Sequence, residues 1–159
     1  AFWASTPTRS APGPTKVAAV GHSQGAGVAL YLAKFFPLDR VVMLSGSFDA
    51  YDLGGGNYTV APWITEAPLA VPVSRIGVML HTSDPSVGRI RAVADGVGVV
   101  GPETDVGSSS SPFGGSRWLA TSQTPTCALD SAPSHNSTAV DGCVPDGAYD
   151  DAWTYLVAG

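Results

Sequence analysis

The sequence predicts an α/β fold in which a mostly parallel sheet is flanked by helices. Short apolar runs without polar alternation, such as Val41–Leu44 and Ile76–Leu80, are typical of strands that are covered on both faces. Helical patterns follow such runs along the chain, and strands that alternate with helices indicate a parallel sheet. The chain has 159 residues, which is enough for one core, and residues 1–159 are interpreted as a single domain.

The first half of the chain is expected to contain two strands and one helix. Residues 1–15, rich in Ser, Thr and Pro, are interpreted as an irregular lead-in. A buried strand at Val17–Val20 is followed by a helix over Ala26–Phe36, which ends at Pro37. The apolar positions that indicate this helix are Val28, Leu32 and Phe35. The strand at Val41–Leu44 comes next.

The second half begins with a long loop over residues 46–74, where three glycines and several prolines interrupt any pattern. After the strand at Ile76–Leu80, a helix is expected over Ser86–Ala94, because Pro85 suits the first helical position and Asp84 suits the cap before it. The remaining predicted elements are strands at Val97–Val100 and Trp118–Ala120, a loop over 121–147 and a closing helix over Tyr149–Val157.

Composition excludes several classes of function. The formal net charge is −5, the pI is near 4.8, and no run of Lys or Arg occurs, so nucleic acid is a poor partner. No apolar stretch approaches the roughly 18 residues of a membrane span. Two cysteines and three scattered histidines do not have a zinc-site spacing, so no metal is expected.

Cys127 and Cys143 lie close together in a stretch rich in Pro and Gly. They are expected to form a disulfide, with two free thiols as the alternative, and a disulfide favours an exported, secreted protein. No signal-peptide pattern is visible, and the chain begins at Ala1 rather than Met, which indicates processing or truncation.

The strongest functional signal is Gly21-His22-Ser23-Gln24-Gly25, which matches G-x-S-x-G. In this motif the chain turns sharply from a strand into a helix and lifts the serine above the carboxyl end of the sheet. Glycines at the flanking positions let the strand and the helix approach closely. Ser23 is therefore the candidate nucleophile, and the Gln24 N–H is a candidate oxyanion-hole donor. The alternative is a glycine-rich turn without chemistry.

A serine nucleophile needs a neighbouring base, and the sequence contains three histidines. His135, in a late polar loop, is the favoured base because a loop can carry an imidazole to the serine. His81, at the end of the third strand, is the alternative. His22 is expected to line the site, because its backbone is committed to the turn beside Ser23.

The base in turn needs an acid, which lies between the serine and the histidine in the chain order of this kind of site. Asp84 directly follows the third strand, where parallel sheets place site residues, although it could merely cap the next helix. Asp49 and Asp52, after the second strand, are the competing candidates. Asp130 and Asp141 are interpreted as surface loop residues.

The segment Val17–Gly27, VAAVGHSQGAG, resembles the nucleophile elbow of α/β-hydrolase lipases, esterases and cutinase-like enzymes. The resemblance covers roughly residues 16–159 and implies Ser23, Asp84 and His135 as the catalytic residues. Secreted bacterial polyester and cutin hydrolases are the nearest comparison, because they often carry a G-H-S-x-G elbow and a disulfide near the C-terminus.

In that family the elbow follows the fifth strand of an eight-stranded sheet, whereas here only a short lead-in precedes it. The resemblance therefore implies a reduced or truncated α/β-hydrolase fold, and the loop that supplies the second oxyanion donor is not found. Val17–Val20 would form an unpaired apolar edge. Residues 1–15 or a second chain, for example in a homodimer, could cover this edge.

The sequence thus predicts a secreted serine hydrolase that cleaves carboxylic esters, either short acyl esters or polyesters such as cutin or PET, without a cofactor. Trp63 is a candidate substrate-lining residue, although Trp63 and Trp118 are more typical of packing positions. An amidase or acyltransferase could use the same residues. The alternative outside the enzyme class is an inert fragment, or a subunit that needs a partner chain to complete the fold.

Overall fold

The computed structural model describes residues 17–66, 68–127 and 131–159, so the lead-in at 1–15 and Asp130 lie outside the described residues. The strands are β1 Ala18–His22, β2 Arg40–Leu44, β3 Ala50–Gly54, β4 Asn57–Val60, β5 Ile76–His81, β6 Thr104–Asp105 and β7 Trp118–Thr121. The helices are α1 Gln24–Leu32, α2 Pro62–Thr65, α3 Val87–Val97, α4 Pro133–Asn136 and α5 Asp150–Ala158.

Five strands form one parallel sheet in the order β1-β2-β5-β7-β6. The register pairs His22 at the end of β1 with Leu44 of β2, and Leu44 with Met79 of β5, so the carboxyl ends of these strands meet at one edge. Parallel strands need crossover connections, which α1 and α3 supply. The prediction of an α/β fold with a mostly parallel sheet flanked by helices is confirmed.

The two faces of the sheet are covered by different helices. On β2, Val41 and Met43 belong to the cluster that contains α1 and α3, whereas Val42 and Leu44 belong to the cluster that contains α5. Neighbouring side chains of a strand point to opposite faces of the sheet. Since both faces are covered, both sets of side chains are apolar. This explains why the central strands are continuous apolar runs in the sequence.

Two predictions of local structure were wrong. Residues 46–74 are not one loop, because β3 and β4 form an antiparallel hairpin that packs on α3, and α2 follows it. The predicted strand Val97–Val100 is instead the last residue of α3 and the turn that follows it. Gly98 adopts φ 77°, and the N–H groups of Gly98 and Val99 both bond to the Ala94 carbonyl, which closes the helix with a left-handed glycine.

The apolar residues that indicated the first helix lie on its exposed side. Val28 and Phe35 are 57% and 60% exposed, and Leu32 is 38% exposed. Three alanines and one leucine cover the sheet instead, since Ala26, Ala29, Leu30 and Ala33 are buried. Close approach of helix to sheet at the elbow favours small side chains, so the apolar pattern located the helix although its residues do not pack on the sheet.

The outer edge of β1 pairs with no strand within the described part of the chain. Val20, in the middle of this strand, is 51% exposed. An apolar edge of this kind is a template for pairing with another chain. The homodimer across β1 therefore stays a prediction.

Gly21 allows the chain to turn from β1 into α1. A Cβ atom built on Gly21 would lie 2.0 Å from the carbonyl oxygen of Gly25 and 2.7 Å from the nitrogen of Ala26. Both atoms belong to the backbone, so no side-chain rotation relieves the clash. We expect Gly21→Ala to lower the free energy of unfolding by about 3 kcal/mol, as measured by urea denaturation.

Gly25→Ala is the matched control, because a Cβ on Gly25 would meet no atom within 4 Å. Alanine in this helical position is expected to leave the stability unchanged or raise it by about 0.5 kcal/mol. Equal stabilities of the two variants would contradict the close packing of β1 on α1.

The predicted disulfide between Cys127 and Cys143 is confirmed, with a sequence separation of 16 residues. The Thr126 N–H also donates to the Cys143 carbonyl, at 2.9 Å. The disulfide closes a loop that includes α4 and therefore restricts the part of the chain that carries His135.

Removing this cross-link is expected to lower the free energy of unfolding by about 3 kcal/mol, because the unfolded chain regains the entropy of the closed loop. The comparison is urea denaturation of the oxidised protein, the reduced protein and the double variant Cys127→Ala/Cys143→Ala. A difference below about 0.5 kcal/mol between the oxidised and reduced protein would show that the loop is held by its other contacts alone.

Candidate active site

Ser23 lies at the sharp turn between β1 and α1, with φ 57° and ψ −123°. Positive φ is uncommon in residues other than glycine, and the surrounding contacts must hold it. The Ser23 N–H donates to the Leu44 carbonyl at 2.9 Å, and the Ser23 carbonyl accepts from the Ala26 N–H at 3.0 Å. The sequence motif therefore produces a strained, half-buried serine at the carboxyl edge of the sheet.

The segment after β2 packs closely against this turn. A Cβ built on Gly46 would lie 2.4 Å from the Ser23 carbonyl oxygen and 2.7 Å from the Cβ of Ala26. The absence of a side chain at Gly46 thus lets the loop after β2 pack directly against the turn at Ser23. Sequence reasoning had assigned no role to this glycine.

Asp84 follows β5 in a tight turn and its carboxylate is 1% exposed. One carboxylate oxygen, Oδ1, accepts the Ser86 N–H at 2.7 Å, and the other, Oδ2, lies 2.8 Å from Nδ1 of His135. The two interpretations of Asp84 are compatible, because one oxygen orders the start of α3 while the other faces the histidine. Such bonding is what a buried carboxylate requires.

His135 lies in the short helix α4, and its side chain is 17% exposed. An ionised Asp84 carboxylate can only accept, so the imidazole proton lies on Nδ1 and Nε2 keeps a free lone pair. This is the arrangement in which an acid orients a histidine to act as a base. The structure thus brings together two of the predicted site residues, which are 51 positions apart in the sequence.

Ser23 and His135 make no direct hydrogen bond within the described residues. His22, the residue before Ser23, contacts His135 instead, with the two ring centroids 4.8 Å apart. In unliganded hydrolases the hydrogen bond from nucleophile to base is often long and tightens when substrate binds.

The other candidate base has no free ring nitrogen. His81 is buried, its Nε2 donates to the Gln123 carbonyl at 2.8 Å, and its Nδ1 accepts the Ser83 N–H at 3.0 Å. Both nitrogens are therefore used in holding the turn after β5. His81 is a structural residue at the same edge of the sheet.

The competing carboxylates contact other groups. Asp49 accepts a hydrogen bond from Ser47, Asp52 accepts the Gly54 N–H in the exposed hairpin, and Asp141 lies on the surface. Asp130 lies outside the described residues. Among the candidates that the structure describes, only Asp84 faces His135.

Two predicted supporting residues have different surroundings. The Gln24 N–H is at the first position of α1, among the N–H groups that have no acceptor within the helix itself. Trp63 packs against α1, with its ring 5.5 Å from that of Tyr31 and the Lys34 ammonium 5.8 Å from its centroid. These contacts favour packing over the predicted substrate-lining role.

Sequence reasoning missed Phe48, whose ring centroid lies 5.5 Å from that of His135. It also missed the support of α4, where Ser45 and Thr138 share a buried hydrogen bond of 2.8 Å and the Trp153 indole donates to the Thr138 carbonyl. Ser45 and Phe48 follow β2, so their position after a parallel strand was the signal that could have identified them.

Three residues outside the candidate site have shifted pKa values: the hydrogen bond to Glu103 raises the pKa of Arg91 on α3, and the other two residues lie near the helix α5. Burial raises the pKa of the Tyr149 hydroxyl, which shares a hydrogen bond of 2.9 Å with Thr121. Burial lowers the pKa of the Arg117 guanidinium, which donates to the carbonyls of Tyr155 and Leu156 at the end of α5. Both pairs attach α5 to β7, the strand next to β5.

Within the ranges 17–66, 68–127 and 131–159, no group of His, Cys, Asp and Glu could hold a metal ion, and no helix is long and apolar enough to cross a membrane. Comparisons of the chain with protein-family models, curated proteins and solved structures found no match. The functional argument therefore depends on the geometry of the site.

Proposed function

We propose that this chain is a serine hydrolase of the α/β-hydrolase type that cleaves carboxylic esters. The observation that carries the proposal is the contact of 2.8 Å between His135 Nδ1 and the buried Asp84 carboxylate, at the sheet edge where Ser23 occupies a strained turn. A paired histidine and carboxylate beside a strained serine is the arrangement that activates a hydroxyl nucleophile.

In the first half-reaction, His135 Nε2 takes the proton of the Ser23 hydroxyl as the oxygen attacks the ester carbonyl. The imidazolium that forms is stabilised by the Asp84 carboxylate through Nδ1–H. The negative charge on the carbonyl oxygen is stabilised by the Gln24 N–H at the positive end of α1. His135 then gives its proton to the departing alcohol, and an acyl-enzyme remains.

In the second half-reaction, His135 removes a proton from water, which attacks the acyl-enzyme. The tetrahedral intermediate collapses, Ser23 recovers its proton from His135, and the carboxylic acid leaves. Every proton in this scheme moves through His135, so the scheme needs no cofactor.

Neutral esters are the proposed substrates, because the net charge of −5 disfavours anionic ones. Short acyl esters and polyester chains such as cutin or PET are the candidates. We further propose a secreted, bacterial protein, and the disulfide between Cys127 and Cys143 supports export.

The test is release of p-nitrophenol from acetate and butyrate esters, combined with labelling by a fluorophosphonate. A fluorophosphonate phosphonylates a serine only when a base activates it, so the label reports activation independently of substrate preference. We expect hydrolysis of both esters, loss of activity on labelling, and a single phosphonylated peptide that contains Ser23.

The absence of a direct hydrogen bond between Ser23 and His135 favours one rival, a catalytically inert chain or a subunit that needs a partner. A folded protein that neither hydrolyses esters nor takes up the label would support that rival. Labelling of Ser23 without ester turnover would point to an amidase or acyltransferase, which a screen of amides and acyl acceptors would identify.

A further inference from the structure

The catalytic role proposed for His135 requires its imidazole to be held in a narrow range of positions, because a catalytic base must stay within about 0.5 Å of its productive position. The residue lies in α4, which has four residues and no side-chain cap. So short a helix has little rigidity of its own. Its orientation must come from tertiary contacts.

Three residues contact His135, and each lies at or just after the end of a different strand. Asp84, after β5, bonds to Nδ1, and Phe48, after β2, lies against the ring. The third contact comes from His22, the last residue of β1, and it reaches the backbone rather than the ring. The His22 Nε2 lies 3.1 Å from the carbonyl oxygen of His135.

The chemistry of this contact is defined by its acceptor. A carbonyl oxygen only accepts, so His22 carries a proton on Nε2 and donates it. The His22 and His135 rings also meet at 48°, with their centroids 4.8 Å apart. Since His22 immediately precedes Ser23, this hydrogen bond connects the strand of the nucleophile directly to the segment of the base.

We infer that His22 is a positioning residue that holds the His135 backbone within reach of Ser23. The inference rests on the proposed function and deepens it, because it gives the second residue of the G-H-S-x-G motif a defined task. Asp84 sets the rotation and tautomer of the His135 ring, whereas His22 sets the distance between α4 and the elbow. Neither contact substitutes for the other.

Two variants separate hydrogen bonding from ring packing. His22→Phe keeps an aromatic ring and loses the N–H donor, whereas His22→Gln places an amide N–H at a reach similar to that of Nε2. Misplacing a catalytic group by about 1 Å can cost 10²-fold, so we expect His22→Phe to lower kcat for p-nitrophenyl butyrate by roughly 10- to 100-fold. KM should stay nearly unchanged, because the His22 Nε2 bonds to the His135 carbonyl rather than to substrate.

His22→Gln should restore most of the kcat that His22→Phe loses. Circular dichroism and thermal melting of both variants should match the parent, which would show that the loss is not caused by unfolding. Full activity of His22→Phe would overturn the inference. Equal losses in His22→Phe and His22→Gln would overturn it as well, because the N–H would then not be the feature that matters.

A measurement independent of activity separates this inference from the proposed function. The His135 Nδ1 proton on Asp84 should give a low-field NMR signal, assigned by its loss in Asp84→Asn. The signal should shift or broaden in His22→Phe and return in His22→Gln. If the parent hydrolyses no ester but the signal responds in this way, the proposed function fails and the positioning contact stands. If esters are hydrolysed but neither the signal nor kcat responds, only the positioning contact fails.

Discussion

Replacing Ser23 with alanine is expected to abolish ester hydrolysis, with kcat falling on the order of 10⁶-fold when the serine is the nucleophile. Alanine has no hydroxyl, so no acyl-enzyme can form, and any remaining turnover would come from binding and the Gln24 N–H alone. The measurement is release of p-nitrophenol from the acetate and butyrate esters by matched amounts of parent and Ser23→Ala.

The fold should survive this change, because Ser23 uses its backbone rather than its side chain to bond with Leu44 and Ala26. A melting curve like that of the parent would therefore accompany the loss of activity. The fluorophosphonate label should disappear as well. A folded variant that keeps more than about a hundredth of the parent activity would exclude Ser23 as the nucleophile. The loss of kcat would then be far smaller than the loss that removal of a nucleophile usually causes.

Replacing Asp84 with asparagine is expected to lower kcat by about 10⁴-fold, because an amide in place of the carboxylate favours the wrong tautomer of the histidine. The negative charge that stabilises the imidazolium is lost in the same step. Asparagine keeps an oxygen that can accept the Ser86 N–H, so the start of α3 is preserved. The assay is the same ester hydrolysis, with KM determined separately from kcat.

Asp52→Asn is the matched control, because Asp52 was one of the two competing carboxylates after the second strand and lies in the exposed hairpin. Its Oδ1 accepts the Gly54 N–H, a role that asparagine also fills, and activity should equal that of the parent. Similar losses in the two variants would mean that Asp84 has no special role as the partner of His135.

The central strands were predictable because burial on both faces leaves a mark in the sequence. Val41–Leu44 and Ile76–Leu80 are continuous apolar runs, and the structure places strands over both. The hairpin of β3 and β4 was missed because its strands are short and largely exposed, and the three glycines at its turn resemble a loop. The residues that pack α1 on the sheet were not predictable from the apolar pattern, because three of the four are alanines.

The site was predictable where chain order and strand ends carry information. Ser23 is marked by its motif, and Asp84 and His135 were chosen because they follow it in the expected order. The contact between Asp84 and His135 joins the turn after β5 to α4, and these residues are 51 positions apart in the sequence. No local sequence pattern predicts a contact over that separation. Thr138 was missed for the same reason.

By itself, the sequence determined the α/β class, the elbow at Ser23 and the pairing of Cys127 with Cys143. The first two features depend on residues that are near each other in the chain, because periodicity and glycine spacing are local properties. The cysteine pairing follows from composition, because the chain contains two cysteines. Only the tertiary structure decided that His135 meets Asp84 and not Asp49 or Asp52, that both ring nitrogens of His81 are bonded, and that the His22 Nε2 contacts the His135 carbonyl. Those choices depend on the sheet order, since β1, β2 and β5 are neighbours only in space and their carboxyl ends converge only after folding.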